Sequence, residues 1–220
     1  MKWLHRLERK FGRYAIKDLM TYIVVLNAVV YLLSILVPES NLFAKFVLIP
    51  SQVLKGEVWR IITFIFLPPN TSPLWIVFTL YFYYMVGSNL ENEWGSFRFN
   101  IYYLIGMLAT IAAAFITGSP VTAVHLNLSL FLAFAYLFPN FEILIFFILP
   151  VKVKYLGYLN WAFVIFSIVF YPLAMKLSAI ASVINYFVFF GSDLIRTMKN
   201  RRQTYQNRKR FNQAFKNKRD

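Results

Sequence analysis

Two residues able to take part in nucleophilic chemistry stand one helical turn apart in this chain. They are His125 and Ser129, in the apolar stretch TAVHLNLSLFLAFAYLFPN from Thr122 to Asn140. At i and i+4 they share a helix face, so a Ser–His hydrogen bond is within reach. Other chemistries are excluded more readily. With no cysteine there is no thiolate nucleophile, disulfide or Cys-based metal site. No His-Glu-x-x-His pattern occurs, and neither a metal nor a cofactor is expected. No Asp pair lies within an apolar stretch, since Asp193 falls at the end of the last one. The pair itself has weaknesses. Both groups project from one helix, and no nearby glycine lets a substrate backbone approach. No carboxylate within the apolar stretches orients the imidazole, and oxyanion donors are lacking. The plainer reading puts His125 near the outer interface and has Ser129 bond its own helix or a neighbour.

The elements that position this pair are membrane helices. The 220 residues are 59% hydrophobic, with a mean hydropathy of +0.56. No soluble core accommodates that fraction, and alternating ten-residue segments of a transmembrane barrel are absent. The spacing predicts six spans: 19–37, 72–86, 99–117, the His125 stretch closed by Pro139, 155–171 and 177–195. Residues 141–150, FEILIFFILP, are too short to cross and are expected to lie along the surface. The fold class is an all-α polytopic membrane protein. No small-residue cleavage site follows the first apolar run, so a cleaved signal is not expected.

Residues 2–18 place Trp3, Leu4, Leu7, Phe11, Tyr14 and Ala15 at helical spacing, with cations between them. An interfacial amphipathic helix is expected over 1–18, its cations on anionic lipid. The six-helix domain occupies 19–196 and a basic tail 197–220. The net charge of +14 belongs to topology rather than to specific nucleic-acid binding. With the N-terminus inside, 19 Lys and Arg fall on inner segments and only Lys45, Lys55, Arg60 and Lys176 on outer ones. That asymmetry predicts both termini cytoplasmic. The stretch from Arg196 onward, with ten cations and interleaved Tyr205, Phe211 and Phe215, is expected on anionic lipid, with a protein or RNA partner as the alternative.

Three motifs stand in order along the chain, Trp59-Arg60 with Thr63, Leu90-Glu91 with Trp94-Gly95-Ser96, and Phe138-Pro139, and their order resembles that of the rhomboid superfamily. Trp59-Arg60 with Thr63 looks like its Trp-Arg-x-x-Thr motif after the first loop. Leu90-Glu91 with Trp94-Gly95-Ser96 and Phe99 looks like its junction between the second and third helices. Phe138-Pro139 and the run after it resemble the passage from fourth to fifth helix. The segments FYYMVGSNLENEWG and LNLSLFLAF are also similar to those of rhomboid-like proteins of Gram-positive bacteria, which implies a bacterial cytoplasmic membrane. The resemblance covers about residues 19–196 and implies a six-helix rhomboid-like core.

Rhomboid proteases carry a Ser nucleophile on the fourth helix, a His base on the sixth, and a His and an Asn on the second. By the resemblance those positions are Val124, Ser182, Trp75 and Thr79 here, so each departs from the pattern. Independently of alignment, His5 and His125 are the only histidines and neither lies in the sixth span. The family's dyad therefore cannot be assembled. The resemblance implies a pseudoprotease which, like derlins, binds or routes transmembrane clients by lateral contact. An atypical His125/Ser129 protease, or a structural or transport protein, are the alternatives. The absence of an obvious mid-membrane charge argues against ion-coupled transport. Trp59, Arg60, Glu91, Trp94, Gly95 and Pro139 are expected to be structural. Arg60 should tie the first loop to the interface. Glu91 should cap the third helix or pair with Arg98.

Overall fold

The computed structural model describes residues 2–191, apart from 70–71, 146–148, 174–175, 178 and 182. A helix stands at each of the six apolar stretches. We label the helices α1 (Lys2–Phe11), α2 (Leu19–Leu36), α3 (Leu42–Phe46), α4 (Pro50–Val53), α5 (Arg60–Thr63), α6 (Pro73–Trp94), α7 (Ser96–Thr117), α8 (Val124–Leu137) and α9 (Val153–Phe170). The last described helix, α10, runs Ala179–Gly191. Three of these, α2, α7 and α9, are long and apolar enough to cross a membrane.

Proline and glycine set the boundaries. Pro73 occupies the first position of α6, where its missing N–H costs nothing. Gly95 has φ 81° and ψ 152°, a conformation that side chains resist, and it turns the chain from α6 into α7 without a loop. Gly118, at φ 68°, closes α7 in the left-handed region. Pro139 and Pro172 follow the ends of α8 and α9.

Helix α8 lies at the centre, packed on α6, α7 and α9. Leu126, Leu130, Leu132, Ala133 and Phe134 on it are fully or nearly fully buried, alongside Phe64, Phe99 and Tyr102. The peripheral helices turn large apolar side chains outward: Leu36, Ile116 and Leu159 are 75%, 74% and 68% exposed. That is the inverse of a soluble protein and suits hydrocarbon. Helix association in lipid relies on close contact. Thus Gly87 receives Met20, whose Cβ and Cγ leave no room for an added Cβ, and Gly157 lets Ala135 approach.

Four expectations are corrected. The fold is not all helix, because Glu142–Ile145 (β1) and Leu149–Lys152 (β2) pair antiparallel. The apolar run between α8 and α9 is rich in β-branched and aromatic residues and too short to cross, so it satisfies its backbone as a hairpin. The register sets Glu142 opposite Lys152. Helix α1 stops at Phe11, and Gly12–Tyr14 is a single 3₁₀ turn rather than a continuation to residue 18. Helix α6 runs past Val86 to Trp94, taking in the polar segment that the pattern assigned to a loop. Helix α9 starts at Val153, two residues early, as β2 leads directly into it. The tail 197–220 lies outside the described residues.

Candidate functional site

The Trp-Arg-x-x-Thr segment has one task. Helix α3 is five residues long, and its last carbonyls have no partner within it. Arg60 Nη1 donates to Ala44 O (2.6 Å) and Val47 O (2.8 Å). Trp59 Nε1 donates to Lys45 O (3.3 Å) and Thr63 Oγ1 to Phe46 O (3.3 Å). Four consecutive carbonyls are thereby taken up by three side chains of one motif. The Arg60 guanidinium is buried and ion-paired to Glu57 through Nε (2.5 Å). Arg60 ties down the first loop through that loop's backbone carbonyls.

The inner junction is built differently from the expectation. Glu91 Oε1 accepts the backbone N–H of Asp18 (2.8 Å), the residue that precedes α2 in a left-handed conformation. So Glu91 caps the first long helix, not the third. Arg98 pairs with Glu8 (3.0 Å) and lies 3.1 Å from His5 Nδ1, fastening α1 to α7. Trp94 stacks against Tyr102, Phe189 and Phe190, joining the end of α6 to α7 and α10.

The His125–Ser129 pair is not joined. Ser129 is fully buried; its hydroxyl donates to Leu126 O (2.8 Å) and accepts from Asn185 Nδ2 (3.2 Å) on α10. Tyr102 OH donates to Ser129 O (2.8 Å). His125, half-buried, is not among the partners of Ser129. Of the positions marked by the family pattern, Trp75 is 45% exposed and its carbonyl accepts from Thr79 Oγ1 (2.8 Å). Val124 lies at the head of α8. Ser182 lies outside the described residues.

Val124 borders a concavity among the described residues. An apolar groove of about 740 Å³ runs between α6, α8 and α9. Phe82 and Tyr83 line it from α6, Val124, Asn127 and Phe131 from α8, and Leu159, Asn160 and Phe163 from α9. Both α6 and α9 pack on α8, while contact between the two is sparse. The groove is therefore a lateral opening, continuous with the exposed apolar surface of Leu159 and Phe163. Phe82 and Phe131 meet at its wall as a tilted pair, with centroids 5.4 Å apart. Sequence reasoning singled out neither Asn127 nor Asn160. The legible signal was two amides inside apolar helices, where polar groups are costly.

The fold and this groove define a class: a helical integral membrane protein with a side opening between two of its long helices. The model of the Rhomboid domain matches residues 55–188, more than half of the chain, and the chain belongs to the rhomboid family. No curated protein matches it.

Proposed function

We propose that this chain is a proteolytically inactive rhomboid that holds or routes other membrane proteins by gripping a transmembrane helix in the α6–α9 groove. Six spans carry it in a bacterial cytoplasmic membrane with both termini cytoplasmic, as the distribution of Lys and Arg suggests. The observation that carries this reading is the groove itself. It opens sideways between helices, is walled by aromatic and aliphatic side chains, and presents Val124 where the family pattern has a nucleophile. A valine side chain cannot attack a carbonyl, but it packs well against another helix. The burial of Ser129 and its bonds to Leu126 and Asn185 support an inactive protein, because a nucleophile needs an adjacent base and an accessible Oγ.

The chain has no cysteine, so single cysteines or photo-reactive residues are introduced without background. With photo-crosslinkers at Phe82 and Phe163, membrane proteins should be captured from both walls of the groove. Probes on the far side, at Ile116, should capture far fewer. Equal capture at all three positions defeats the groove reading. Purified protein in lipid should leave generic rhomboid substrates uncut. Cleavage that disappears on Ser129→Ala would overturn the pseudoprotease reading in favour of a His125/Ser129 enzyme.

A further inference from the structure

The N-terminal segment carries a surface that the groove does not use. Glu8 is the one acid between Lys2 and Lys17, and its carboxylate is committed to Arg98 on α7 (3.0 Å). Leu4, one turn earlier on the same face of α1, is buried. Arg6, Arg9 and Lys10 share the other face and are exposed. Past the break at Gly12, Arg13 and Lys17 are exposed as well. Among the described residues none of these five cations has a carboxylate partner. Large apolar side chains stand between them. Phe11, Tyr14 and Ile16 are all exposed, with Lys10 Nζ over the Phe11 ring (5.3 Å) and the Arg13 guanidinium over the Tyr14 ring (4.7 Å).

Position decides what such a surface meets. Arg98 and Asn100 stand in the first two turns of α7, a helix long and apolar enough to cross a membrane. Arg98 holds Glu8, and Asn100 Nδ2 donates to Ile16 O (3.1 Å). The segment is thereby moored at the end of a span, at headgroup depth. Its exposed Tyr14 and Ile16 lead into the outward apolar surface of α2, where Tyr22 and Val25 are exposed. Rings interleaved with cations suit the boundary where phosphates overlie acyl chains, because the rings enter the apolar edge while Arg and Lys stems reach back to phosphate. A soluble polyanion would pair with the cations and leave Phe11, Tyr14 and Ile16 in water. The stretch from Arg196 onward carries the same sign and is no counterion. Phosphatidylcholine brings its own compensating cation, so the net attraction favours lipids of net negative charge. We infer that Arg6, Arg9, Lys10, Arg13 and Lys17, with Phe11, Tyr14 and Ile16, form a surface that concentrates anionic phospholipids at α1 through charge-assisted bonds to their phosphates. It is independent of what the α6–α9 groove holds.

The test reconstitutes the full-length protein in nanodiscs of phosphatidylcholine with a minority of phosphatidylglycerol. A photo-crosslinker is placed at Ile16 or, for reference, at Ile116 in the last turn of α7. Mass spectrometry reads the ratio of the two lipids captured. At Ile16 phosphatidylglycerol should exceed its bulk share about fivefold or more, the factor that one cation near an anionic surface supplies, and at Ile116 it should match the bulk. Arg6→Gln/Arg9→Gln/Lys10→Gln in one chain should bring the Ile16 ratio most of the way to bulk, although the stretch from Arg196 onward is unchanged. Should that variant fail to fold, raising the salt concentration on the unaltered protein should lower the Ile16 ratio and leave the Ile116 ratio where it was. A bulk ratio at Ile16 overturns the inference, as does an enrichment that survives both the triple substitution and salt. Polyuridylate bound to the protein in pure phosphatidylcholine, and released by the triple substitution, would also overturn it by assigning the surface to a soluble polyanion.

Discussion

Two polar regions of this membrane protein treat their hydrogen bonds in opposite ways. In the first loop, Trp59, Arg60 and Thr63 meet four carbonyls in succession, and the buried guanidinium is neutralised by Glu57. In the groove, Asn127 and Asn160 each keep an acceptor with no donor opposite. The first pattern is closed: any ligand arriving there would have to break existing bonds. The second leaves acceptors unmade inside the groove walls, while the surface the groove offers is almost wholly apolar. Unmade acceptors also occur on Asn27, Asn100 and Asn185 away from the groove, so it is the apolar, sideways-opening surface of the groove that sets it apart from the scaffold. The Trp-Arg-x-x-Thr motif therefore lies in the scaffold, while the groove proposed to hold clients is walled in part by the FYYMVGSNLENEWG and LNLSLFLAF segments.

The strongest way to break this contrast is to open the closed region. Arg60→Ala would strand two carbonyls and the Glu57 carboxylate. A buried carbonyl left without a donor costs about 1–3 kcal/mol, and two are stranded here, while the Glu57 side chain is 34% exposed and is left less costly. A large drop in thermal midpoint in lipid is expected, with proteolytic access at residues 44–47. Arg60→Lys should recover only part, since an ammonium cannot reproduce the fork that reaches Ala44 and Val47 together. A loss no greater than that of Asn160→Leu would mean that the two regions are not energetically distinct.

The helical, membrane-embedded class was legible in composition, and the helix ends at Pro139 and Gly118 followed from local sterics. The hairpin was not legible, because a short apolar run does not declare whether it pairs with itself. Nor was the partner of Glu91. Arg98 was nearer in sequence, but the free N–H of Asp18 was brought close only by packing α2 on α6. The candidate site divides the same way. His125 and Ser129 advertised themselves by residue type. Yet Ser129 is turned into the core toward Asn185, a contact 56 residues distant that no spacing rule reveals. The groove amides were visible as residues, but their unpartnered oxygens exist only in three dimensions.

A smaller effect is expected where the two regions share a foundation, the α2–α6 contact. Gly87→Ala places a methyl against Met20 Cβ and Cγ, atoms that side-chain rotation does not clear, so α2 and α6 must shift apart at a cost of about 1–3 kcal/mol. Met20→Ala in the same chain should restore part of the loss, in a double-mutant cycle read by thermal unfolding. If the groove depends on a rigid α6, crosslinking from Phe82 should fall with the single change and return with the double one.

Ser129→Ala comes next. The hydroxyl bonds its own helix, and its removal leaves only Asn185 Nδ2 without an acceptor, a cost of about 1 kcal/mol. Client capture in the groove should be unaltered, since Ser129 does not line it. Lost capture with an unchanged midpoint would show that the interior pair and the groove act together.

The smallest effect is expected at Arg98. Its pair with Glu8 is one-third exposed on each side, and pairs of this kind contribute about 0–1 kcal/mol. Arg98→Ala should therefore leave the thermal midpoint nearly unchanged. The consequence should be local: α1 is held to α7 by this pair, by the buried Leu4 and by the bond from Asn100 to Ile16 O just beyond it. Amides of α1 should exchange faster with deuterium in the variant while those of α8 do not change. Raising the salt concentration should mimic the substitution in the parent chain, because exposed ion pairs are screened and the buried Arg60 pair much less. A midpoint that falls as far as it does for Arg60→Ala would place the inner junction with the closed scaffold. An unchanged exchange pattern would mean that Leu4 and the Asn100 bond alone hold α1 in place.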